Sequence, residues 1–238
     1  MFGIGKKTKQ DGTTAPTPPS SGPASAVATP APAGPVTDLG LAKGRISLEK
    51  RQTVSLTKTQ TTTVTISWPN RTDYDVYALV RYRDGHVETV SQFGTKDDRV
   101  FSPRTADGAV VHLGDQRRGA RGATTTTADE VIAITLAPEI DRIVPVVYSA
   151  QSNGTGSFRR YQVGMTIDNG AGDVVEIAAR DADSNDKVYS CVPGVITNGE
   201  QVQVEKLELY SAPKSERRPV VNADGSVTMD AGPVNAYK

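Results

Sequence analysis

The chain reads as an all-β protein, a β-sandwich behind a disordered N-terminal tail rich in Pro, Ala and Thr. Three observations predict this. Apolar and polar residues alternate in period two over short runs. Tight-turn dipeptides separate those runs. No window of a dozen residues carries the apolar stripe of an amphipathic helix.

The tail comes first. Residues 16–35 hold seven of the 15 prolines, and Val27 is the only larger apolar residue among them. Such a segment cannot bury enough apolar surface to offset its ordering entropy, so it is expected to be a semi-extended linker. Ahead of it, Met1–Lys9 carries Phe2 and Ile4 followed by Lys6, Lys7 and Lys9. This reads either as a frayed terminus or as a weak docking peptide for a partner or an anionic surface. Residues 1–37 are assigned to tail and linker, 38–211 to the sandwich and 212–238 to a C-terminal extension.

The strands follow in order. Val64, Ile66 and Trp68 alternate with Thr65 and Ser67. Val76, Ala78, Val80 and Tyr82 alternate with Tyr77, Leu79 and Arg81. Ile132, Ile134 and Leu136 share one face, Tyr161, Val163, Met165 and Ile167 repeat the pattern, and Val202 and Val204 begin another. Each run predicts a half-buried strand. Asp84-Gly85, Asp107-Gly108, Asn153-Gly154, Asn169-Gly170, Asn198-Gly199 and Asp224-Gly225 mark turns, and Pro69, Pro138 and Pro193 sit at or near run ends. Trp68 falls on an apolar face and is expected in the core. Beyond Tyr210 the alternation weakens, although Val220-Val221, Asp224-Gly225 and Val227–Met229 have the pattern of a small hairpin.

Composition excludes several functions. Lys+Arg and Asp+Glu both number 27, which argues against a general nucleic-acid coat. The neutrality is uneven: residues 1–122 hold 17 basic and 11 acidic side chains, and residues 123–238 hold 10 and 16. No stretch approaches the roughly 20 apolar residues of a membrane span. The first residues have no apolar core of signal-peptide length, and Phe2 breaks the myristoylation pattern, so a cytoplasmic location is expected. Cys191 is the only cysteine and His86 and His112 the only histidines. An internal disulfide is therefore impossible, and metal or triad chemistry based on His and Cys has few donors. Cys191 reads as a small buried hydrophobe and His112 as a structural strand residue.

The sequence carries no G-x-S-x-G elbow and no H-E-x-x-H helix, so no enzyme is expected. The acidic residues are more informative. Asp73 and Asp75 stand two apart at a strand entry, so their side chains share one side. Gly114-Asp115 opens a loop rich in Gly and Thr that closes at Asp129-Glu130. Should these loops meet at one end of the sandwich, four or five carboxylates converge. Hard oxygen donors on flexible loops suit Ca2+, whereas the plainer reading is of solvated turn acids. A further run, Asp181–Asp186, imitates an EF-hand start but has Asp186 in place of Gly and Val192 in place of Glu; it reads as a polar turn.

Five segments carry a family resemblance. Leu39-Gly40-Leu41-Ala42-Lys43-Gly44 with Ile46-Ser47-Leu48 resembles the L-x-K-G opening of the TerD family, bacterial tellurium-resistance and stress proteins. Val64–Trp68 resembles that family's next strand, and Asp73–Leu79 its D-L-D-A-S-A-x-L segment. Val110–Gln116 resembles its V-x-H-x-G-D-N segment, and Ala128–Ile132 the end of its G-D-D-E-x-I motif. The order and approximate spacing agree over residues 39–136, with weaker similarity to about Tyr210.

The resemblance implies a non-enzymatic, calcium-binding β-sandwich that works with other proteins of a cytosolic stress-response assembly. By motif match, Asp73, Asp75, Asp115, Asp129 and Glu130 fall at the acidic positions of the calcium loops. The chain departs from the pattern within one of those loops. Gln116 replaces Asn, Ala128 replaces the first Asp of D-D-E, and Arg117, Arg118 and Arg121 occupy an acidic stretch. Arginines beside a divalent site oppose cation binding, and a missing carboxylate weakens it. Two alternatives follow: a degraded site with weak calcium affinity, or a metal-free interaction module. In the second, Arg117, Arg118 and Arg121 replace the ion or contact an acidic partner.

Overall fold

The computed structural model describes residues 35–70, 72–115, 126–149, 157–179 and 186–236, with Asp115 through its backbone only. All of these lie in one unit, Pro35–Lys238. Met1–Lys9 and nearly all of the linker fall outside the described residues, as do Gln116, Arg117, Arg118, Arg121, the Asn153-Gly154 turn and Asp181–Asn185.

The β-rich Thr, Val and Ile runs form two large sheets, and the described residues contain no helix. In chain order the strands are β1 (Thr37–Leu41), β2 (Arg45–Ser47), β3 (Gln52–Leu56), β4 (Thr61–Pro69), β5 (Asp75–Tyr82) and β6 (Val87–Val90). There follow β7 (Val110–Asp115), β8 (Thr127–Thr135), β9 (Ile140–Tyr148), β10 (Gly164–Asp168) and β11 (Val174–Ala178). The last are β12 (Ser190–Asn198), β13 (Val202–Tyr210), β14 (Val220–Val221) and β15 (Val227–Thr228). One sheet runs β1-β3-β13-β12-β9-β5-β6 and the other β2-β11-β10-β4-β8-β7. β1 and β2 join the sheet edges in parallel, against β3 and β11.

The alternation explains the layer between the sheets. Val64, Ile66 and Trp68 of β4 and Ile132 and Ile134 of β8 point inward against Val76, Ala78 and Val80 of β5 and Val202 and Val204 of β13. Trp68 is buried, and its indole N–H donates to the Thr72 carbonyl at 3.2 Å, so the one polar atom of the ring is satisfied.

Three strand expectations change in the structure. First, β5 is buried on both faces rather than one. Tyr77 and Leu79 on its outer side enter a second apolar cluster with Phe93, Val144, Tyr148 and Val192. The β14–β15 hairpin supplies Val221 to that cluster and packs Val227 and Met229 on it. Arg81 and Arg142, cross-strand neighbours on β5 and β9, hold the hairpin turn by donating to the carbonyls of Ala223 and Gly225. Asp141 pairs with both arginines and relieves their mutual repulsion.

Second, Tyr161 is not in a strand. The N–H of Tyr161 donates to Ser157 and that of Val163 to Phe158, which closes a helical-type turn before β10 begins at Gly164. The Tyr161 ring packs edge-on against Tyr74 instead. Third, Pro193 lies inside β12, not at its end. The β12–β9 register shifts between Cys191 and Ile196, and Pro145 of β9 stands within the corresponding interval. Neither proline has an N–H for the ladder, so the irregularity falls where no donor is lost.

Candidate binding site at one end of the sandwich

Topology gathers the acidic segments at one end. β4 finishes at Pro69, and the chain crosses to the other sheet to start β5 at Asp75. β8 begins beside the end of β4, with Asp129 opposite Ser67 and Glu130 opposite Ile66. β7 ends beside the same point, where Asp115 pairs with Glu130. That last pairing depends on a bulge: the register shifts between His112 and Asp115, and Gly114 takes φ +77° there. A side chain at Gly114 would be strained in that left-handed conformation, so the glycine permits the offset. Asp73, Asp75, the Asp115 backbone, Asp129 and Glu130 therefore all lie at this end.

Their environments differ. Asp73 is half-buried just before β5, whereas Asp75 and Asp129 are buried. Glu130 points into the layer between the sheets, 2% exposed. Its Oε2 accepts the Val76 N–H at 2.7 Å and lies 3.1 Å from His112 Nε2. The Gly114 N–H donates to His112 Nδ1 at 3.0 Å, so the ring proton sits on Nε2. That Nε2–H faces both the Glu130 carboxylate and, at 3.0 Å, the Val76 carbonyl. β7, β8 and β5 are thus joined by a buried polar clamp that crosses from one sheet to the other.

The donor chemistry fits a hard divalent cation, since every candidate is a carboxylate at a strand end. Among the described residues, however, no three or more His, Cys, Asp or Glu side chains form a group able to hold a metal. The Asp115 side chain and residues 116–125 fall outside the described residues. Arg117, Arg118 and Arg121 lie outside the described residues, as does all of the Asp181–Asp186 run except Asp186, whose carboxylate pairs with Arg160.

Two features of this region go further than the sequence reading. His112 is structural, as expected, and its role as a cross-sheet donor depends on a partner 36 residues away. On β13, Lys206 and Glu208 continue the inward register of Val202 and Val204 and are buried as an ion pair at 3.3 Å. The Tyr210 hydroxyl donates to Glu208 at 2.7 Å. The signal was present, because charged residues fell on the apolar side of an alternating run. Cys191 lies beside this row, fully buried, and burial, reinforced by Glu208, pushes its thiol well above the ordinary value. A thiol so disfavoured as thiolate is a poor nucleophile.

The opposite end holds a groove of about 790 Å3 around Tyr82, His86, Glu88, Asp107 and Glu139. The Tyr82 and His86 rings stack at 4.1 Å, and the Tyr82 hydroxyl donates to Asp107 at 3.1 Å. Burial pushes the Tyr82 pKa up to about 12, with the Asp107 carboxylate adding to the shift and Thr105 opposing it. Three of its carboxylates already serve local contacts. Asp84 binds His86, Asp107 takes the Thr105 hydroxyl and the Ala109 N–H, and Glu88 takes the Ala106 N–H.

Fold and site together define the class as an all-β sandwich with acidic strand ends at one pole. A scan of the chain against protein-family models finds no match, and no curated protein matches it significantly. Among the described residues, no helix is long and apolar enough to cross a membrane.

Proposed function

We propose that the chain is a non-enzymatic, TerD-like binding module of a cytosolic stress-response assembly, with a degraded calcium site at its acidic end. One observation carries this reading. Segments distant in sequence, Asp73–Asp75, Asp115 and Asp129–Glu130, arrive at the same end of the sandwich through the β4–β8 and β7–β8 ladders and the Val76–Glu130 bond. Asp73, Asp75, Asp115, Asp129 and Glu130 are the ligand set that the motif match supplies. The ion would join loops from both sheets and stabilise the native state by mass action. With Met1–Lys9 on its linker, the module would dock weakly to a partner.

Calorimetry and thermal melting test the proposal. A weak site with a Kd of about 10−4–10−3 M is expected. Calcium at a hundred times that Kd should stabilise the fold by about 2.7 kcal/mol, and Asp75→Ala should remove the effect. Calcium raised to a hundred times that Kd, about 10–100 mM, that shows no binding heat and leaves the melting transition unmoved overturns the calcium assignment.

A second reading, the metal-free interaction module, is favoured by a specific observation. Glu130 Oε2 already faces two protein N–H donors. In that case Arg117 and Arg118 replace the ion. The double variant Arg117→Ala, Arg118→Ala should then lower the stability of calcium-free protein by about 1–3 kcal/mol, the scale of lost charge-assisted hydrogen bonds. Unchanged urea denaturation would exclude the replacement.

A further inference from the structure

We infer that Glu130 is a positioning residue for the acidic end and not one of its ligands, and that it works through His112 and the backbone of Val76. The inference rests on the calcium reading above and alters its ligand set. Glu130 is directed between the sheets, onto the inner register shared with Ile132 and Ile134. Its Oε2 takes the Val76 N–H at 2.7 Å and faces the His112 Nε2–H at 3.1 Å. A carboxylate oxygen aimed at two buried N–H groups has its lone pairs directed at protein donors.

Those donors stand where the acidic end is set. Val76 follows Asp75 directly, so the bond to its N–H fixes the entry of β5 and with it the backbone that carries Asp73 and Asp75. His112 is two residues from the Gly114 bulge, and the Gly114 N–H bonds its other ring nitrogen. The imidazole therefore couples the β5 entry to the turn that delivers Asp115. Asp129, one residue from Glu130, faces the other side of β8 and pairs across to Ser67. Glu130 thus sits at the junction of all three acidic segments, with its own carboxylate turned away from solvent. Residues that orient ligands in this way commonly change metal affinity by about tenfold to a hundredfold when removed.

Glu130→Gln and Glu130→Ala separate the roles. Both donors are N–H groups, so the amide oxygen of Gln can accept them in place of Oε2, whereas a ligand role needs the charge. Glu130→Gln should keep calcium affinity within about threefold of the parent, and Glu130→Ala should weaken it by about tenfold or more. Hydrogen exchange at the Val76 amide supplies a readout independent of calcium: protection should persist in Glu130→Gln and fall in Glu130→Ala. Loss of calcium from Glu130→Gln as complete as from Asp75→Ala would make Glu130 a ligand and overturn the inference. Unchanged protection at Val76 in Glu130→Ala would overturn it as well. If Glu130→Ala does not fold, Glu130→Gln decides through both readouts. If the parent protein takes up no calcium, the calcium reading fails, and exchange at Val76 still tests the clamp.

Discussion

A chain ending at Tyr210 is expected to lose the stable native state, although it retains every strand of both large sheets. Residues 212–236 are built into the outer face of the seven-stranded sheet. Arg218, 6% exposed, is the centre of that attachment. Its Nε donates to Asn235 Oδ1 at 2.6 Å, and its Nη2 donates to the carbonyls of Phe93 and Gly94 at 3.0 and 3.1 Å. The guanidinium also lies 4.8 Å from the centre of the Tyr77 ring and 5.2 Å from that of Phe93. Main-chain bonds reinforce it, with Ala236 N–H donating to Gly94 and Lys96 N–H to Val234.

Without this segment, Tyr77, Leu79, Val144 and Val146 would meet water along an entire sheet face. An apolar patch of that kind leads to aggregation. The expected result is a truncated protein that binds hydrophobic dyes and shows no cooperative melting. The single change Arg218→Ala should cost about 3 kcal/mol, because three acceptors lose a charged donor and two rings lose a cation. Urea denaturation measures it. A truncated chain that melts cooperatively at the parent temperature would show that the extension is dispensable.

Gly194→Ala is expected to have a comparable effect for a different reason. Gly194 lies in β12 next to the irregular β12–β13 register. A Cβ placed there would stand 2.5 Å from the Glu205 carbonyl oxygen, 2.8 Å from Ile177 Cδ1 and 3.2 Å from Met165 Cε. The two side chains can move, but the Glu205 oxygen belongs to the neighbouring strand of the same sheet. Relief requires separating β12 from β13, which pair as Gly194 with Lys206 and Val195 with Glu205. Overpacking of this kind costs about 3 kcal/mol, and for a domain of this size the melting temperature should fall by about 10 °C. Adding Met165→Ala should not restore stability, because the backbone collision remains. Recovery in the double variant would locate the strain in the side chains instead.

The sequence resolves these matters unevenly. The inner layer was legible because alternation reports burial on one face directly: Val64, Ile66, Trp68, Val76, Ala78 and Val80 all point where period two placed them. The outer cluster was not legible. Tyr77 and Leu79 occupy the face that a half-buried strand presents to water, and only the extension that covers them gives that face an interior. Tyr161 kept the alternation but entered a turn, because period two over four residues does not distinguish a strand from a turn whose rings pack inward. At the acidic end, the residues could be named from their motifs. Their division into different environments required the contact of Glu130 with Val76, 54 residues away.

The sequence alone determined the class of fold, strands such as β4, β5, β8 and β13 with several of the turns, and the segments that carry the acidic residues. Those properties depend on local periodicity and turn chemistry, which neighbouring residues encode. The tertiary structure alone decided which sheet face was covered by residues 212–236, where the β9–β12 ladder shifts register around Pro145 and Pro193, and that the Glu130 carboxylate turned inward. Each of these depends on donors, acceptors and apolar surfaces far apart in the chain, and long-range satisfaction of buried groups leaves no short-range pattern to read.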